Sequence, residues 1–123
     1  IKINITAVFT IDQVTLLAKS LNPKVPSVVS VFAGRIADTG IDPIDIMTES
    51  LKLLASNQNS ELLWASSREV LNIYQAQQIG CHIITVTHDL IKKLDLKDKN
   101  LEEYSRETVQ MFFDDASNAG YNL

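Results

Sequence analysis

The run VPSVVSVF at positions 25–32 is nearly continuous in apolar residues, and it decides the fold class. Strands that are buried on both faces, as in parallel sheets, have this composition. On either side of the run, strand-like and helix-like patterns alternate with a repeat of about 30 residues, the size of a strand–helix unit in a (β/α)₈ barrel. The sequence therefore predicts an α/β protein whose parallel strands are joined by helical crossovers.

The predicted elements follow the order βαβαβαβαα. Strands are predicted at 2–9, 25–32, 61–65 and 81–86, and helices at 12–20, 43–55, 67–79, 87–94 and 101–119. Asp42 is a suitable N-cap for a helix with Pro43 in its first turn, and Gly80 is a suitable C-cap. Residues 34–43 are predicted to form a loop. No linker that would mark a second domain is visible.

The composition fits one globular domain or about half of a larger one. Of the 123 residues, 46% are hydrophobic and 21% are charged. The net charge of −4, without a Lys/Arg-rich run, disfavours binding to nucleic acid. No apolar stretch approaches the roughly 18 residues of a membrane span, so no membrane partner is expected. The single cysteine, Cys81, excludes an internal disulfide framework and favours a reducing, cytoplasmic location.

Two arginines lie just past the carboxyl ends of predicted strands, where parallel α/β proteins bind their ligands. Arg35 follows Ser30 and the small pair at 33–34, which would let the backbone approach a ligand closely. Arg68 follows Ser66 at the start of a predicted helix, whose free amides also favour an anion. Two guanidiniums with hydroxyls suit a phosphate or another doubly charged anion. The residues alone leave open that the arginines are solvated and that the serines are core hydroxyls.

Three polar residues, Lys2, Asn4 and Thr6, share one face of the first predicted strand. In a doubly wound sheet this row would be costly to bury without partners. In a barrel it would point inward, and near the carboxyl end of the strand it would face an active site. The alternative is a half-exposed edge strand, which the periodicity does not exclude.

Neither histidine indicates a metal site. His82 is predicted to pack within the fourth strand and His88 to lie at a helix start, while Cys81 is predicted to be a buried structural thiol. Their spacing does not match a metal-ligand set. We therefore expect neither a metal nor another cofactor.

Together these segments resemble the carboxyl-terminal half of a transaldolase-family protein, a Schiff-base aldolase or transaldolase built on a (β/α)₈ barrel. The resemblance covers nearly all of the chain. It rests on NITAVFT at 4–10, SVFAGRIAD at 30–38, ASSR at 65–68 and GCHIITV at 80–86. These would be strands five to eight with their following loops. The first three motifs are specific in order and spacing, and the fourth is weak.

The resemblance implies roles for seven residues. Asn4 would hydrogen-bond substrate hydroxyls beside the Schiff base, and Thr6 would help to hold the catalytic water. The other five would bind substrate, with Ser30 and Phe32 in the sugar pocket and Arg35, Ser66 and Arg68 at the phosphate. The sequence departs from the family at Val31, where proline is usual, and at Ser67, where phenylalanine is usual. Both lie beside ligand positions and bear on pocket shape and substrate preference.

The Schiff-base lysine of the family lies on the fourth strand, and acidic partners lie on the first and third. The resemblance places those strands outside this chain. Lys2 is a poor replacement, because it would lie roughly 13 Å below Thr6 at about 3.3 Å per residue, away from the active end. Ile1 already lies in the first strand pattern, so we expect the amino-terminal half of the barrel to be supplied by the same or a separate polypeptide.

The expected function is that of one half of a transaldolase-like enzyme. The complete enzyme would transfer a dihydroxyacetone unit between sugar phosphates through a lysine Schiff base. The alternatives are an enzyme similar to fructose-6-phosphate aldolase and a non-catalytic half barrel that dimerises and binds phosphate. Homo-oligomerisation is left open. A free-standing doubly wound domain of the flavodoxin kind is disfavoured, because the sequence has neither the acidic cluster of a receiver nor the phosphate loop of a flavin binder.

Overall fold

The computed structural model describes residues 2–120, so Ile1 lies outside the described residues. The elements, in chain order, are β1 (Ile3–Val8), α1 (Ile11–Ser20), β2 (Ser27–Val31), α2 (Ala33–Asp38), α3 (Ile44–Leu54), β3 (Ser60–Trp64), α4 (Val70–Ile79), β4 (Ile83–Ile84), α5 (His88–Lys93), a 3₁₀ turn (Leu94–Leu96) and α6 (Leu101–Asn118). The described residues form two compact units, one ending at Lys92 and the other beginning at Lys93.

The first unit is built on one parallel sheet with the strand order β1-β2-β3-β4. Every residue of β2 is buried, as its continuous apolar sequence predicts. The register pairs Ser27 with Ser60 and Val31 with Trp64, so the carboxyl ends of β2 and β3 lie at the same edge. The prediction of an α/β fold with four parallel strands alternating with helices is confirmed.

Helices cover one face of this sheet. Its central strands contribute Val29, Val31, Leu62 and Trp64, none of which is more than 1% exposed. The same core cluster contains one or more buried residues from each of the first four helices, among them Val14, Ile36, Met47 and Ala76. Since burying a large apolar side chain stabilises a fold by about 1.5–3 kcal/mol, this layer supplies most of the hydrophobic stabilisation of the unit.

The opposite face has a smaller cluster made of Val28, Leu63 and Ala65, with Phe32 and Ile83 packed against it. These residues come from strands or from the position directly after a strand. Within residues 2–120, none of the cluster's members comes from a helix lying across this face. We call the helix-covered face, with Leu62 and Trp64, the outer face, and the opposite face, with Val28 and Leu63, the inner face. Helices on the outer face alone are consistent with half of a (β/α)₈ barrel.

The carboxyl end of β1 is irregular. Ile5 pairs with Val29 and Val8 pairs with Val31, so Thr6 and Ala7 together lie opposite Ser30. This is the two-against-one arrangement of a β-bulge. Ala7 has φ 58°, in the left-handed region that non-glycine residues rarely adopt. Ile5 and Val8 consequently face the same helix-covered side, although they are three residues apart.

Three predicted boundaries were wrong. Residues 34–43 are not all loop, because Ala33–Asp38 form α2, whose Ala33, Gly34 and Ile36 are buried. The fourth strand is shorter than 81–86, since only Ile83 and Ile84 pair with β3. Helix α4 begins at Val70 instead of about residue 67. Of the predicted caps, Gly80 is confirmed, since it ends α4 with φ 81°. The N-cap of α3 is Pro43 instead of Asp42, although the Ile44 amide donates to Asp42 Oδ1 at 2.9 Å.

The second unit contains α6 of 18 residues, whose first turn is capped by Asn100. The Lys99 ammonium lies 2.6 Å from the Glu107 carboxylate, and this hydrogen bond raises the pKa of Lys99. No described residue of α6 is buried. Across residues 2–120, no helix combines the length and apolarity that crossing a membrane requires.

Candidate active site

Asn4 and Ser30 meet on the inner face of the sheet, on the adjacent strands β1 and β2. The Ser30 hydroxyl donates to Asn4 Oδ1 at 2.8 Å. Ser30 is buried, whereas Asn4 is exposed. The bond fixes the orientation of the Asn4 amide, whose Nδ2 has no protein partner among the described residues. An oriented amide donor on the open face is suited to a hydroxyl or carbonyl oxygen of a ligand.

Thr6 lies two residues beyond Asn4, on the bulge of β1, and is exposed. Together with Gln13 and Leu16 of α1 it lines a cavity of about 230 Å³ at the free edge of the sheet. Among the described residues, Thr6 makes no side-chain hydrogen bond to Asn4 or Ser30. The structure therefore brings Asn4 and Ser30 into contact, whereas Thr6 on the bulge lines a separate cavity with residues of α1.

Phe32 follows β2 directly and packs against the inner-face cluster. Its ring is tilted by 45° to that of Phe9, with the ring centroids 5.7 Å apart. The Phe32 amide donates to the Val8 carbonyl at 2.9 Å, which extends the β1–β2 pairing by one bond. Phe32 thus provides an apolar wall close to the carboxyl ends of both strands.

Arg35 lies on α2 and is exposed. Its guanidinium makes no ion pair and no side-chain hydrogen bond with another described residue. The first turn of α2 is fixed tightly, because the Gly34 amide donates to the Ala65 carbonyl at 3.2 Å. A Cβ atom on Gly34 would lie 1.6 Å from the Ser66 carbonyl oxygen, so only glycine permits this approach. The helix that carries Arg35 therefore touches the loop that carries Arg68.

That loop, residues 65–69, connects β3 to α4. Ser66 has φ 62°, and the Ser67 hydroxyl donates to the carbonyl oxygen of Thr85 after β4. Ser66, Ser67 and Arg68 line a cavity of about 210 Å³ whose other wall is Thr85, Val86 and Thr87. The cavity lies at the carboxyl ends of β3 and β4, is bordered by hydroxyls and has one guanidinium. These are the groups that bind phosphate and similar anions.

Arg68 has two partners of its own. Its Nη2 lies 3.0 Å from Asp38 Oδ2 at the end of α2, and its backbone amide donates to Asn72 Oδ1 at 2.9 Å. The Glu69 amide donates to the same Asn72 oxygen at 3.0 Å. The expectation that free amides of a helix starting near residue 67 would assist an anion was therefore wrong for Arg68 and Glu69.

Asp38 was not assigned a role from the sequence. A signal was present, since Asp38 lies three residues after Arg35, the spacing of neighbours on a helix surface. The signal was lost because residues 34–43 were predicted to be a loop. Its contact with Arg68 joins positions 30 residues apart and has no local sequence signature.

Lys2 lies at the other end of the inner face. Its ammonium lies 2.9 Å from the Glu61 carboxylate of β3, and this hydrogen bond and charge lower the pKa of Glu61. The contact crosses β2, which lies between the two strands. Lys2 is thus engaged at the amino-terminal end of the sheet, away from Ser66 and Arg68.

The prediction that His82 packs within the fourth strand was wrong, because His82 is exposed and precedes β4, while His88 is exposed at the start of α5 as predicted. His82 Nδ1 accepts a hydrogen bond from the Leu62 amide at 3.0 Å. The half-buried Cys81 thiol donates to the carbonyl oxygens of Leu62 and Ile83, and burial raises its pKa. Within residues 2–120, no group of three or more His, Cys, Asp or Glu side chains is arranged to hold a metal ion.

The whole chain, residues 1–123, matches the family model described as Transaldolase/Fructose-6-phosphate aldolase. It is 32% identical over 112 residues to "Probable transaldolase 2" of Listeria monocytogenes, covering 87% of this chain and 49% of that protein. It is 35% identical over 107 residues to "Probable transaldolase" of Chelativorans sp., covering 83% and 47%. For "Probable transaldolase" of Methanococcus maripaludis the identity is 30% over 108 residues, covering 85% and 48%.

The chain spans about half the length of the curated relatives that it matches, which is consistent with half of a barrel. The family resemblance read from four short motifs is thus confirmed over the full sequence. The chain belongs to the transaldolase/fructose-6-phosphate aldolase family.

Proposed function

We propose that this chain is the carboxyl-terminal half of a transaldolase-like enzyme that transfers a dihydroxyacetone unit between sugar phosphates. The match to the family over all 123 residues carries the proposal. A lysine of the other half forms a carbinolamine and then an imine with the ketose substrate. This half positions the substrate and holds its phosphate. The enzyme acts in the cytoplasm.

The geometry of the strand ends supports the division of roles. The Asn4 amide, oriented by Ser30, donates to substrate hydroxyls next to the imine. Thr6 on the bulge holds the water that is released when the imine forms and consumed when it is hydrolysed. Ser30 and Phe32 line the sugar pocket.

The phosphate is held by Arg68 and Ser66, which line the cavity at the ends of β3 and β4, and by Arg35 from α2. Two guanidiniums neutralise the dianion and orient it through directional N–H donors. Fixing the phosphate in this way places the reacting carbonyl at a defined distance along the substrate, which lowers the entropic cost of the attack by lysine.

Borohydride trapping tests the proposal. The complete enzyme, with the amino-terminal half supplied by the same or a separate polypeptide, is reduced in the presence of fructose 6-phosphate and then mapped by mass spectrometry. A covalent adduct on a lysine of the amino-terminal half is expected, and it should persist in the Lys2→Ala variant, since Lys2 is paired with Glu61 at the opposite end of the sheet. The absence of an adduct on the complete enzyme contradicts the proposal.

Two alternatives follow from the same family and from the half-length match. The family model also covers fructose-6-phosphate aldolases, which would release the dihydroxyacetone unit instead of transferring it. Product analysis with and without an acceptor aldehyde phosphate separates the two reactions. A non-catalytic half barrel would be stabilised by phosphate without turnover, and the Arg35→Ala, Arg68→Ala double variant would abolish that stabilisation.

The apolar inner face and the two edges of the sheet support a proposal about the macromolecular partner. Its apolar cluster packs only against residues of strands or strand ends within residues 2–120, and β1 and β4 each have one neighbouring strand in the sheet. The amino-terminal half of the barrel, in the same or a separate polypeptide, covers this face and pairs with both edges. Size-exclusion chromatography with light scattering distinguishes that assembly from a homo-oligomer of this chain.

A further inference from the structure

The Arg68 guanidinium already has an anionic partner within the chain. Its Nη2 lies 3.0 Å from Asp38 Oδ2, and the two side chains are 54% and 57% exposed. The carboxylate therefore occupies part of the donor surface that an incoming phosphate would use. An arginine has five N–H donors in a planar fork, and two oxygens of a phosphate need two adjacent donors for bidentate binding.

The position of Asp38 is determined by α2. Asp38 is the last residue of that helix and lies three positions after Arg35, so the two side chains are neighbours on the helix surface. The first turn of α2 is fixed against the Ser66 backbone by the close approach at Gly34. Asp38 is therefore a neighbour of Arg35 on the surface of α2 and is in direct contact with Arg68.

The contact is of the kind that a ligand can displace. Ion pairs between exposed side chains contribute about 0–1 kcal/mol, because water and salt screen them and two flexible side chains must be ordered. A phosphate dianion carries twice the charge of a carboxylate and offers three acceptor oxygens, so it competes effectively for the same guanidinium. A ligand with a single weak negative charge gains little over the carboxylate that it would replace.

We propose that Asp38 is an internal competitor for Arg68 that lowers the affinity of the site for phosphate and makes it selective for dianionic ligands. The inference rests on the proposed function, since it concerns the same phosphate site. Asp38 does not touch the reacting atoms. It acts through Arg68, by occupying the guanidinium until a phosphate replaces it.

Isothermal titration of the full-length polypeptide with inorganic phosphate and with fructose 6-phosphate tests the proposal. Removing the charge in Asp38→Asn should tighten phosphate binding by about three- to fivefold, the upper part of the range expected for one exposed ion pair. The same substitution in an Arg68→Ala background should have no effect, because the guanidinium that is contested is absent. This double-mutant cycle separates competition at Arg68 from a general change in charge.

Asp45→Asn is the matched control. Asp45 is exposed in the first turn of α3 and makes no ion pair with Arg68 or Arg35 among the described residues. The substitution changes the net charge by the same amount as Asp38→Asn. It should leave phosphate affinity within about twofold, since screened charges at a distance contribute little at physiological salt.

A second measurement reports the ion pair without any phosphate. Phenylglyoxal modifies accessible guanidiniums, and Asp38→Asn should increase the rate at Arg68 but not at Arg35, as followed by peptide mapping. The melting temperature should change little, because neutral substitutions on exposed surfaces usually remain within about 0.5 kcal/mol. A purely structural role for Asp38 would lower the melting temperature instead.

Phosphate binding that is equal or weaker in Asp38→Asn, with an unchanged melting temperature, overturns the competition and leaves the proposed function standing. An equal gain in Asp45→Asn overturns it as well. Absence of phosphate and fructose 6-phosphate binding in both the parent and the variant contradicts the proposed function together with the competition.

Discussion

The two faces of the sheet differ in what packs against them. The outer face, with Leu62 and Trp64, is sealed by residues from four helices. The inner face, with Val28 and Leu63, is packed only by residues of strands or strand ends in the described part of the chain, and it carries the contact between Asn4 and Ser30. The outer face therefore accounts for stability, whereas the inner face and its rim carry the candidate chemistry.

This difference predicts how substitutions divide. Changes on the outer face should unfold the chain whether or not a partner is present. Changes on the inner face should have smaller effects in this chain alone, and larger effects in the proposed assembly with the amino-terminal half of the barrel. Four sets of substitutions test this division between the faces, and the one with the strongest predicted effect comes first.

Gly34→Ala should have the largest effect, because it acts where the helix layer touches the site. The added Cβ would lie 1.6 Å from the Ser66 carbonyl oxygen, so the backbones of α2 and of the loop after β3 must separate. We expect a loss of about 3 kcal/mol or more in the free energy of unfolding, measured by urea denaturation. Phosphate binding should be lost as well, since Arg35 and Arg68 move apart.

Gly40→Ala is the control for this substitution. Gly40 has φ 83°, and no other atom lies within 4 Å of the position that a Cβ would take, so only backbone strain of about 1–2 kcal/mol is expected. Equal losses in the two variants would show that the close approach at Gly34 is unimportant.

Leu62→Ala and Leu63→Ala compare the faces directly, because these neighbours point in opposite directions. Leu62 is fully buried beneath the helices, and its truncation should cost about 2–5 kcal/mol. Leu63 is 9% exposed and packs on the inner face, so its truncation should cost about half as much in this chain. Thermal unfolding should be measured with and without the proposed amino-terminal half. Its presence should increase the loss of stability caused by Leu63→Ala and leave that caused by Leu62→Ala unchanged.

Ser27→Ala and Ser30→Ala compare hydroxyls of β2 that face opposite sides. The Ser27 and Ser60 hydroxyls are 2.8 Å apart and both buried, so removing one leaves the other unsatisfied and should cost about 1–3 kcal/mol. Removing Ser30 leaves Asn4, which water can solvate, and should cost about 0.5–1 kcal/mol. A larger loss at Ser30 would mean that the inner face is structural.

The pair of Lys2 and Glu61 should give the smallest effect. Lys2 lowers the pKa of Glu61 from its usual value of 4.5, so the stabilisation is present above that pH and is lost as the pH falls through the lower pKa of the folded state. Both groups are exposed, and the change should be a small drop in melting temperature on acidification. In Glu61→Gln the drop in melting temperature on acidification should be smaller. A melting temperature that varies with pH as in the parent protein would contradict the contribution of this ion pair.

The elements that were predicted correctly are those with local determinants. The run at 25–32 indicated a buried parallel strand by composition alone, and the Gly80 cap depends only on neighbouring backbone groups. Helix α2 lies within the segment predicted to be a loop, and it is favoured by the burial of Ile36 in a core built from distant parts of the chain. The length of β4 depends on pairing with β3, which its own sequence does not encode.

The same contrast between local and long-range determinants holds for the candidate site. Motif spacing identified Phe32, Arg35, Ser66 and Arg68, which follow the carboxyl ends of β2 and β3, and the contacting pair Asn4 and Ser30. The roles assigned to these residues stay predictions. The bulge at Thr6 and the ion pair between Asp38 and Arg68 were not predicted, because both arise from contacts with distant parts of the chain. A prediction that uses strict two-residue alternation along β1 also assigns the residues after Thr6 to the wrong face of the sheet, because the bulge adds one residue to the strand.

The bulge in β1 also affects association in solution. β1 is the outermost strand of the sheet as described, and an unpaired strand edge invites pairing with strands of other molecules. The two-against-one step at Thr6 and Ala7 breaks the regular row of N–H and C=O groups and bends the strand there. A foreign strand could follow β1 in regular pairing only along its regular part at Ile3–Ile5. The feature that positions Thr6 thereby also discriminates against aggregation through this edge.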